Sequence, residues 1–589
     1  MTRSSTDGAR PGGGGTPGAS PSGSSGARRG WRERLGRLGL RGGRSGLGMR
    51  GGGSAAGEGG AARVRLGPSE AIGAAVASAL TMLRLRSLRT AQRRAEGVWH
   101  KEWPHVAVVT TASLPWLTGT SINPLLRAAY LAKRGHKVKL AVPFLPVEDQ
   151  RVVYPGGVTF ASPALQTAHV WEWLEQRAGL SAAALGGRLA IEFYPARYAE
   201  EFGSAIPMGD LTMLFDPETE SDVCVLEEPE HLNWFHKGRA WCAAFKLVVG
   251  IVHTNYVEYA KTFKDGSRVR TASLYAINRA MCGSYCHKTI KLSDTIQALP
   301  RSVTANVHGV RDSFIDVGKA VAALGDDTSG AFSEAARAQG DGLGTGAYFI
   351  GKVLWAKGHR RLLDLLAHQK AVEPASPARV LVVGSGPDEA EVRAECTRLG
   401  LDSTVKFAPA MDHGSLKLRA FKVLVNPSRS DVICTTTAEA LAMGKFVVCE
   451  EHPSNAFFAK HFPRNCLTYK DEAGFVRMLG FALANSPPPL TQEEQAVLSW
   501  ESATDRFLAI AREDSGKMRY QPGILDSATR IVHQGAGAGR VGDLFRQAAG
   551  AGPASKQYMV RRKLAKGKGE KLTGMADPSV WFNLEPVAE

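Results

Sequence analysis

The stretch SRSDVICTTTAEALAMGKFVVCE, Ser428 to Glu450, decides the fold. It lies between two apolar runs, KVLVNPS and FVVCE, that read as strands, and a short helix opening at the threonines is predicted between them. Asp431 and Glu439 then fall near one helix N-terminus. A carboxylate accepts two hydrogen bonds and so fits the vicinal hydroxyls of a ribose or hexose, while a helix starting at Thr435 or Thr436 turns its N-terminus toward phosphate oxygens. A sugar nucleotide carries hexose, diphosphate and ribose in one molecule. The competing structural account is a helix-capping acid and a surface glutamate.

Working outward, the same alternation of short apolar runs and helices fills the second half: AYFIGKV, ARVLVVGSGPD, TVKFAPA, KVLVNPS, FVVCEEH and CLTYK. Buried parallel strands read this way because helices cover both faces of their sheet. In AYFIGKVLWAKGHRRLLDLL, Lys352 ends a strand and Lys357 opens a helix, two cations at a strand exit able to hold a diphosphate. Gly384, Ser385 and Gly386 mark another strand exit, where a lone GSG is a phosphate contact or a plain turn.

The first half repeats the pattern with HVAVVTTAS, HKVKLAVPF, VCVLEEPEHL, KLVVGIVHTNY, HKTIKLSD and TANVHGV. Its first loop, TTASLPWLTGTSINPLL, brings Gly119 to a helix N-terminus, either as an anion site or as a tight turn. His253 of GIVHTNY and the acids of VLEEPEHLNWFHKG stand at strand exits. The histidine is a sugar or phosphate donor there, or a packed core residue. The fold class is thus α/β, two doubly wound Rossmann-like domains facing across a cleft, with the chemistry between them at the carboxyl ends of the strands.

The expected divisions are residues 1–97, a low-complexity basic segment; 98–325, a first Rossmann-like domain; 326–346, a linker or insertion; 347–486, a second Rossmann-like domain; 487–515, a helical segment; and 516–589, a basic tail. Residues 1–70 hold twelve arginines, no lysine and four acids among Gly and Ser runs. That composition cannot form a core, and it fits an organelle transit segment or a flexible tail equally. From Ser78, SALTMLRLRSLRTAQRRAEGVWHKEW reads as an interfacial helix or as a domain-packing one, and its basic face would favour anionic lipid. No apolar run is long enough to span a bilayer. The net charge of +17 lies largely in the ends and no nucleic-acid motif accompanies it, so nucleic acid is not an expected partner. The eight scattered cysteines are expected as buried thiols. Cys282, Cys286 and His287 lack the second pair of ligands a structural zinc needs.

The second half resembles the retaining glycosyltransferases of the GT-B fold, family 4, whose signature is an acid, seven residues, then Glu-Ala-x-x-x-Gly. Here Glu439 opens EALAMGK and Asp431 replaces the usual first Glu. Within that family, TTASLPWLTGTSINPLLRAAYL, EPEHLNWFHKG, the VHTNY run, NVHGV, GKVLWAKGHRRLLDLL, SDVICTTTAEALAMGK and HPSNAFF resemble the galactolipid-forming galactosyltransferases of plants and green algae, over roughly residues 100–515. The resemblance implies UDP-galactose as donor, monogalactosyldiacylglycerol as acceptor, no obligatory cofactor or metal, and a peripheral place on the chloroplast outer envelope membrane. It further implies Glu439 on the ribose, Asp431 on the hexose, and Lys352 and Lys357 on the diphosphate. Gly384, Ser385 and Thr436 line the donor, His253 sits by the transferred sugar, and Gly119 belongs to a closing loop. A GT-B enzyme with another sugar donor or a soluble acceptor is the nearest alternative.

Overall fold

The computed structural model describes residues 104–200, 203–236, 238–258, 268–323, 346–513 and 523–537. The segment from Ser78, read above as an interfacial helix, and the 326–346 linker lie outside these residues, apart from Gly346.

Fourteen strands form two sheets among the described residues. The first holds β1 (Val106–Val109), β2 (Val138–Phe144), β3 (Leu189–Ala199), β4 (Ser204–Pro207), β5 (Val223–Glu227), β6 (Leu247–Val252), β7 (Lys288–Lys291) and β8 (Ser302–Thr304), in the order β4-β3-β2-β1-β5-β6-β7-β8. Every pairing is parallel except β3 with β4. The second holds β9 (Ala347–Ile350), β10 (Val380–Val383), β11 (Val405–Ala408), β12 (Val423–Asn426), β13 (Phe446–Glu450) and β14 (Cys466–Tyr469), all parallel in the order β11-β10-β9-β12-β13-β14. Strand order reverses beside β1 and beside β9, the two topological switch points at which ligands bind in such sheets.

β1, β5, β9, β10, β12 and β13 are buried along their whole length. This explains why they are legible as unbroken apolar runs. TANVHGV, expected as a strand, is not one. The ladder ends at Thr304, Val307 and His308 are buried outside it, and Val310 makes an isolated bridge to Ser499.

The C-terminal helical segment divides into Gln492–Leu498 and Trp500–Glu513. The second helix sends Trp500, Ala503, Phe507, Leu508 and Ala511 into the core of the first half. The helix Asp312–Ala322 does the reverse, placing Phe314 and Ile315 in a core of the second half. Each half is therefore capped by chain belonging in sequence to the other. Gly318 makes the close contact possible: a Cβ there would lie 2.0 Å from the Ala442 carbonyl oxygen.

Residues 524–537, within what reads as a featureless basic tail, form a helix against Arg268–Tyr285. Tyr285 OH lies 2.7 Å from His533 Nδ1, Ser284 Oγ donates to the Asp526 carbonyl at 2.9 Å, and Arg530 Nη1 donates to Cys242 Sγ at 3.0 Å. The eight cysteines are buried. No helix among the described residues is long and apolar enough to cross a membrane.

Candidate functional site

The carboxyl ends of both sheets carry the candidate residues. In the second half, Asp431 lies in the loop after β12, and the helix Thr435–Ala442 follows with Cys434 at its N-cap. Cys434 makes no regular side-chain cap hydrogen bond. Thr436 is in the first turn, its Oγ1 3.0 Å from Cys434 Sγ. Asn426, the last residue of β12, donates to Thr437 Oγ1 at 3.0 Å and fastens strand to helix.

Lys357 does not open a helix. It closes the 3-10 turn Trp355–Lys357, and Gly358, at φ 92°, turns the chain into the helix His359–Val372. That turn carries the Lys357 ammonium to Asp431, with Nζ 2.5 Å from Oδ1. The sequence reading gave these two residues separate ligand groups; the structure pairs them with each other. Lys352, just past β9, is exposed and makes no ion pair with a described residue. Partial desolvation, together with the nearby Lys357 charge, lowers its ammonium pKa.

Glu439 faces inward from the second turn of its helix and meets His413, with Nδ1 2.6 Å from Oε2. Burial alone would lower the His413 pKa; the Glu439 carboxylate outweighs it and holds the imidazole above its ordinary value. The sequence reading passed over His413, although it follows β11 at a strand exit as His253 follows β6.

Gly384 and Ser385 hold two loops together. Gly384 has φ 148°, and a Cβ on it would lie 1.9 Å from the Gly351 carbonyl oxygen. The Val353 amide donates to the Ser385 carbonyl at 3.1 Å. The GSG turn thus fixes the segment carrying Lys352.

In the first half, β5 ends in two acids. Glu227 is fully buried, receiving Arg127 Nε on Oε1 at 2.6 Å and the His253 imidazole on Oε2. Burial pushes its carboxyl up, but Arg127 and His253 together overcome this and hold it below the usual value. His253 is nearly enclosed, its ring centroid 4.9 Å from that of His308. Burial also lowers the His308 pKa, and neither of its ring nitrogens has a hydrogen-bond partner among the described residues. Glu228 adopts a left-handed φ of 68° and accepts from Thr111 at 2.7 Å, Thr254 at 2.6 Å and Tyr256 at 3.0 Å. These donors offset the strain of a non-glycine residue in that conformation. Gly119 is exposed at the start of the helix Gly119–Lys133, with Thr118 and Ser121 forming a capping box.

Two contacts join the halves beside these groups. Ser293, after β7, donates to the Val432 carbonyl next to Asp431, and Arg177 Nη1 meets Asp412 Oδ2 at 2.6 Å next to His413. The site therefore has a buried histidine network on one side. On the other it has an ammonium with no ion pair among the described residues, two charge pairs and a helix N-terminus. Such a set suits an anionic, hydroxyl-rich ligand.

Two parallel Rossmann-like sheets with a C-terminal helix crossing back to the first define the GT-B architecture of glycosyltransferases. The family described as glycosyl transferases group 1 matches residues 345–485, the second half. The chain belongs to the digalactosyldiacylglycerol synthase family. It is 44% identical over 412 residues to digalactosyldiacylglycerol synthase 2, chloroplastic, of Lotus japonicus, covering 70% of this chain and 84% of that protein. It is 47% identical over 411 residues to digalactosyldiacylglycerol synthase 1, chloroplastic, of Glycine max, covering 70% of this chain and 49% of that protein. The chain spans about half the length of the type 1 relatives from Glycine max and Lotus japonicus that it matches. A crystal structure of Anabaena HepE in complex with UDP shows 13% identity and a TM-score of 0.45, covering 69% of this chain and 98% of that one.

Proposed function

We propose that this protein transfers galactose from UDP-galactose to monogalactosyldiacylglycerol with retention, forming digalactosyldiacylglycerol and UDP. One observation carries the proposal: Lys352, Lys357, Asp431, Glu439 and the helix opening at Thr435 come together at the carboxyl ends of β9 and β12. The names of the relatives give the product, digalactosyldiacylglycerol, and the donor and acceptor are those the sequence resemblance implies. Glu439, oriented by His413, takes the ribose hydroxyls, and Thr436 and the helix amides meet the diphosphate. Lys352 and Lys357 stabilise the UDP that departs as the C1–O bond of galactose breaks. Asp431, released in part from Lys357, takes the galactose hydroxyls. Gly384 and Ser385 hold the Lys352 loop at the donor, and Gly119 lets the first loop close over it. His253, steadied by Glu227, sits by the transferred sugar. The acceptor hydroxyl attacks from the face UDP leaves, and its proton passes to the departing phosphate oxygen.

The type 1 and type 2 relatives are named chloroplastic, and we place this protein on the chloroplast outer envelope as a peripheral protein facing its lipid acceptor. The test is transfer of labelled galactose from UDP-galactose to monogalactosyldiacylglycerol in mixed micelles, with UDP-glucose in parallel. A digalactosyl lipid formed from UDP-galactose alone supports the assignment. Transfer from UDP-glucose alone, or hydrolysis of UDP-galactose without lipid product, refutes it.

A further inference from the structure

We infer that the loops after β1 and β2 form the surface by which the protein settles on a neutral galactolipid bilayer; this rests on the lipid acceptor proposed above. Residues 152–171, VVYPGGVTFASPALQTAHVW, contain no Asp, Glu, Lys or Arg in a chain that is 22% charged. They are not hidden: Val152 is 69% exposed, Val158 44% and Leu165 57%, and Leu117 in the loop after β1 is 60% exposed. The stretch runs from the end of the helix Val147–Val153 through a 3-10 turn, Pro155–Gly157, into the helix Pro163–Ala178, and an uncharged tip of this kind with apolar side chains turned outward suits the interface of a bilayer. Galactolipid head groups carry no net charge, so a cationic surface would gain nothing from them.

This tip is built rather than loose. Gln166 Nε2 donates to the Leu114 carbonyl at 2.6 Å and to Tyr154 OH at 2.9 Å. Gln150 Nε2 donates to the Leu145 carbonyl at 2.7 Å, and its Oε1 accepts from the Phe160 amide at 2.6 Å. Both glutamines are buried with their side-chain amides donating inward, and the apolar side chains named above are left outward. The tip is also continuous with the candidate site. Ser113, 3.1 Å from Gln166 Nε2, is two residues from Thr111, which donates to Glu228. Because β1, β2, β5 and β6 run parallel, the tip and the Glu228–His253 network emerge from the same edge of the sheet. A lipid lifted from a bilayer at the tip would enter beside that network.

The test uses the full chain and the variant Val152→Glu/Val158→Glu/Leu165→Glu, with unchanged circular dichroism and thermal midpoint as the folding control. Flotation with vesicles of monogalactosyldiacylglycerol and phosphatidylcholine measures docking. Transfer to a short-chain, water-soluble monogalactosyl acceptor measures the reaction without a surface. Three buried apolar side chains predict a loss of vesicle partitioning of roughly a hundredfold in the variant, with transfer to the soluble acceptor within about twofold of the parent. Unchanged flotation of the variant overturns the inference. So does a parent that floats only with anionic vesicles, or a patch that instead holds two copies together in sedimentation. If the parent floats but transfers to neither acceptor, the function fails while the docking surface stands.

Discussion

The two halves place their charged groups at the same kind of position, a strand exit, yet treat them oppositely. In the first half they are sealed: Arg127 and Glu227 are fully buried and paired with each other, and Glu228 holds three hydroxyl donors. In the second they are half-open and paired: the side chains of Lys357 and His413 are 30% and 37% exposed, and Lys352 has no ion pair among the described residues. A buried pair is costly to break because the survivor is left charged in a low dielectric. An exposed pair can exchange partners cheaply. On the proposed function, the first half is then a fixed wall, and the second a place where an arriving ligand replaces provisional partners.

The largest test of this contrast is Arg127→Met, which leaves the buried Glu227 with His253 as its one remaining charge partner among the described residues. It should cost about 3–5 kcal/mol of stability, read from the midpoint of urea unfolding. A change below roughly 1 kcal/mol would mean that the first half is as adaptable as the second. Next, Glu439→Gln should leave unfolding nearly unchanged but lower kcat/KM for galactose transfer by about 10²–10³-fold. Equal losses of stability and activity would erase the distinction.

A smaller effect concerns Lys352, whose pKa is lowered in the free protein. A diphosphate beside it raises that pKa, so at alkaline pH binding of UDP should draw a proton from the buffer. Calorimetry in buffers of different ionisation enthalpy reads this directly, and Lys352→Ala should abolish the uptake. Equal uptake in the variant would place the titrating group elsewhere.

The smallest effect belongs to the His413–Glu439 pair. Its imidazole pKa is raised on folding, so the pair's contribution to stability is complete below the ordinary value of 6.5 and is lost as pH climbs through the raised one. The difference in thermal midpoint between the parent and His413→Gln should therefore shrink from about pH 6 to about pH 9. A difference that grows with pH would show that the carboxylate does not favour the charged ring.

The sequence by itself determined the alternation of strand-like runs with helices; eleven of its twelve runs are strands, and it missed β3, β4 and the three-residue β8. β3 escaped because LAIEFYPARYA mixes Glu192 and Arg197 into its apolar residues, both only half-buried toward the sheet edge, so no continuous run announces it. TANVHGV misled in the other direction. Its apolar residues are buried, but against chain from the C-terminal helices rather than in a ladder. The tail helix 524–537 was hidden because its contacts to the first half run through Asp526, Arg530 and His533 instead of an apolar stripe.

The candidate donor residues were legible for a local reason: they follow strands at short distances, and a strand exit in a parallel sheet has a fixed location. Their partners were not. Lys357 meets Asp431 from 74 positions away, His413 meets Glu439 from 26, and Arg127 meets Glu227 from 100. Local pattern sets which residues reach the edge of a sheet, because apolar burial has a period that sequence records. Which charges neutralise one another there depends on how separate strands and loops are brought together, and only the tertiary structure decides that.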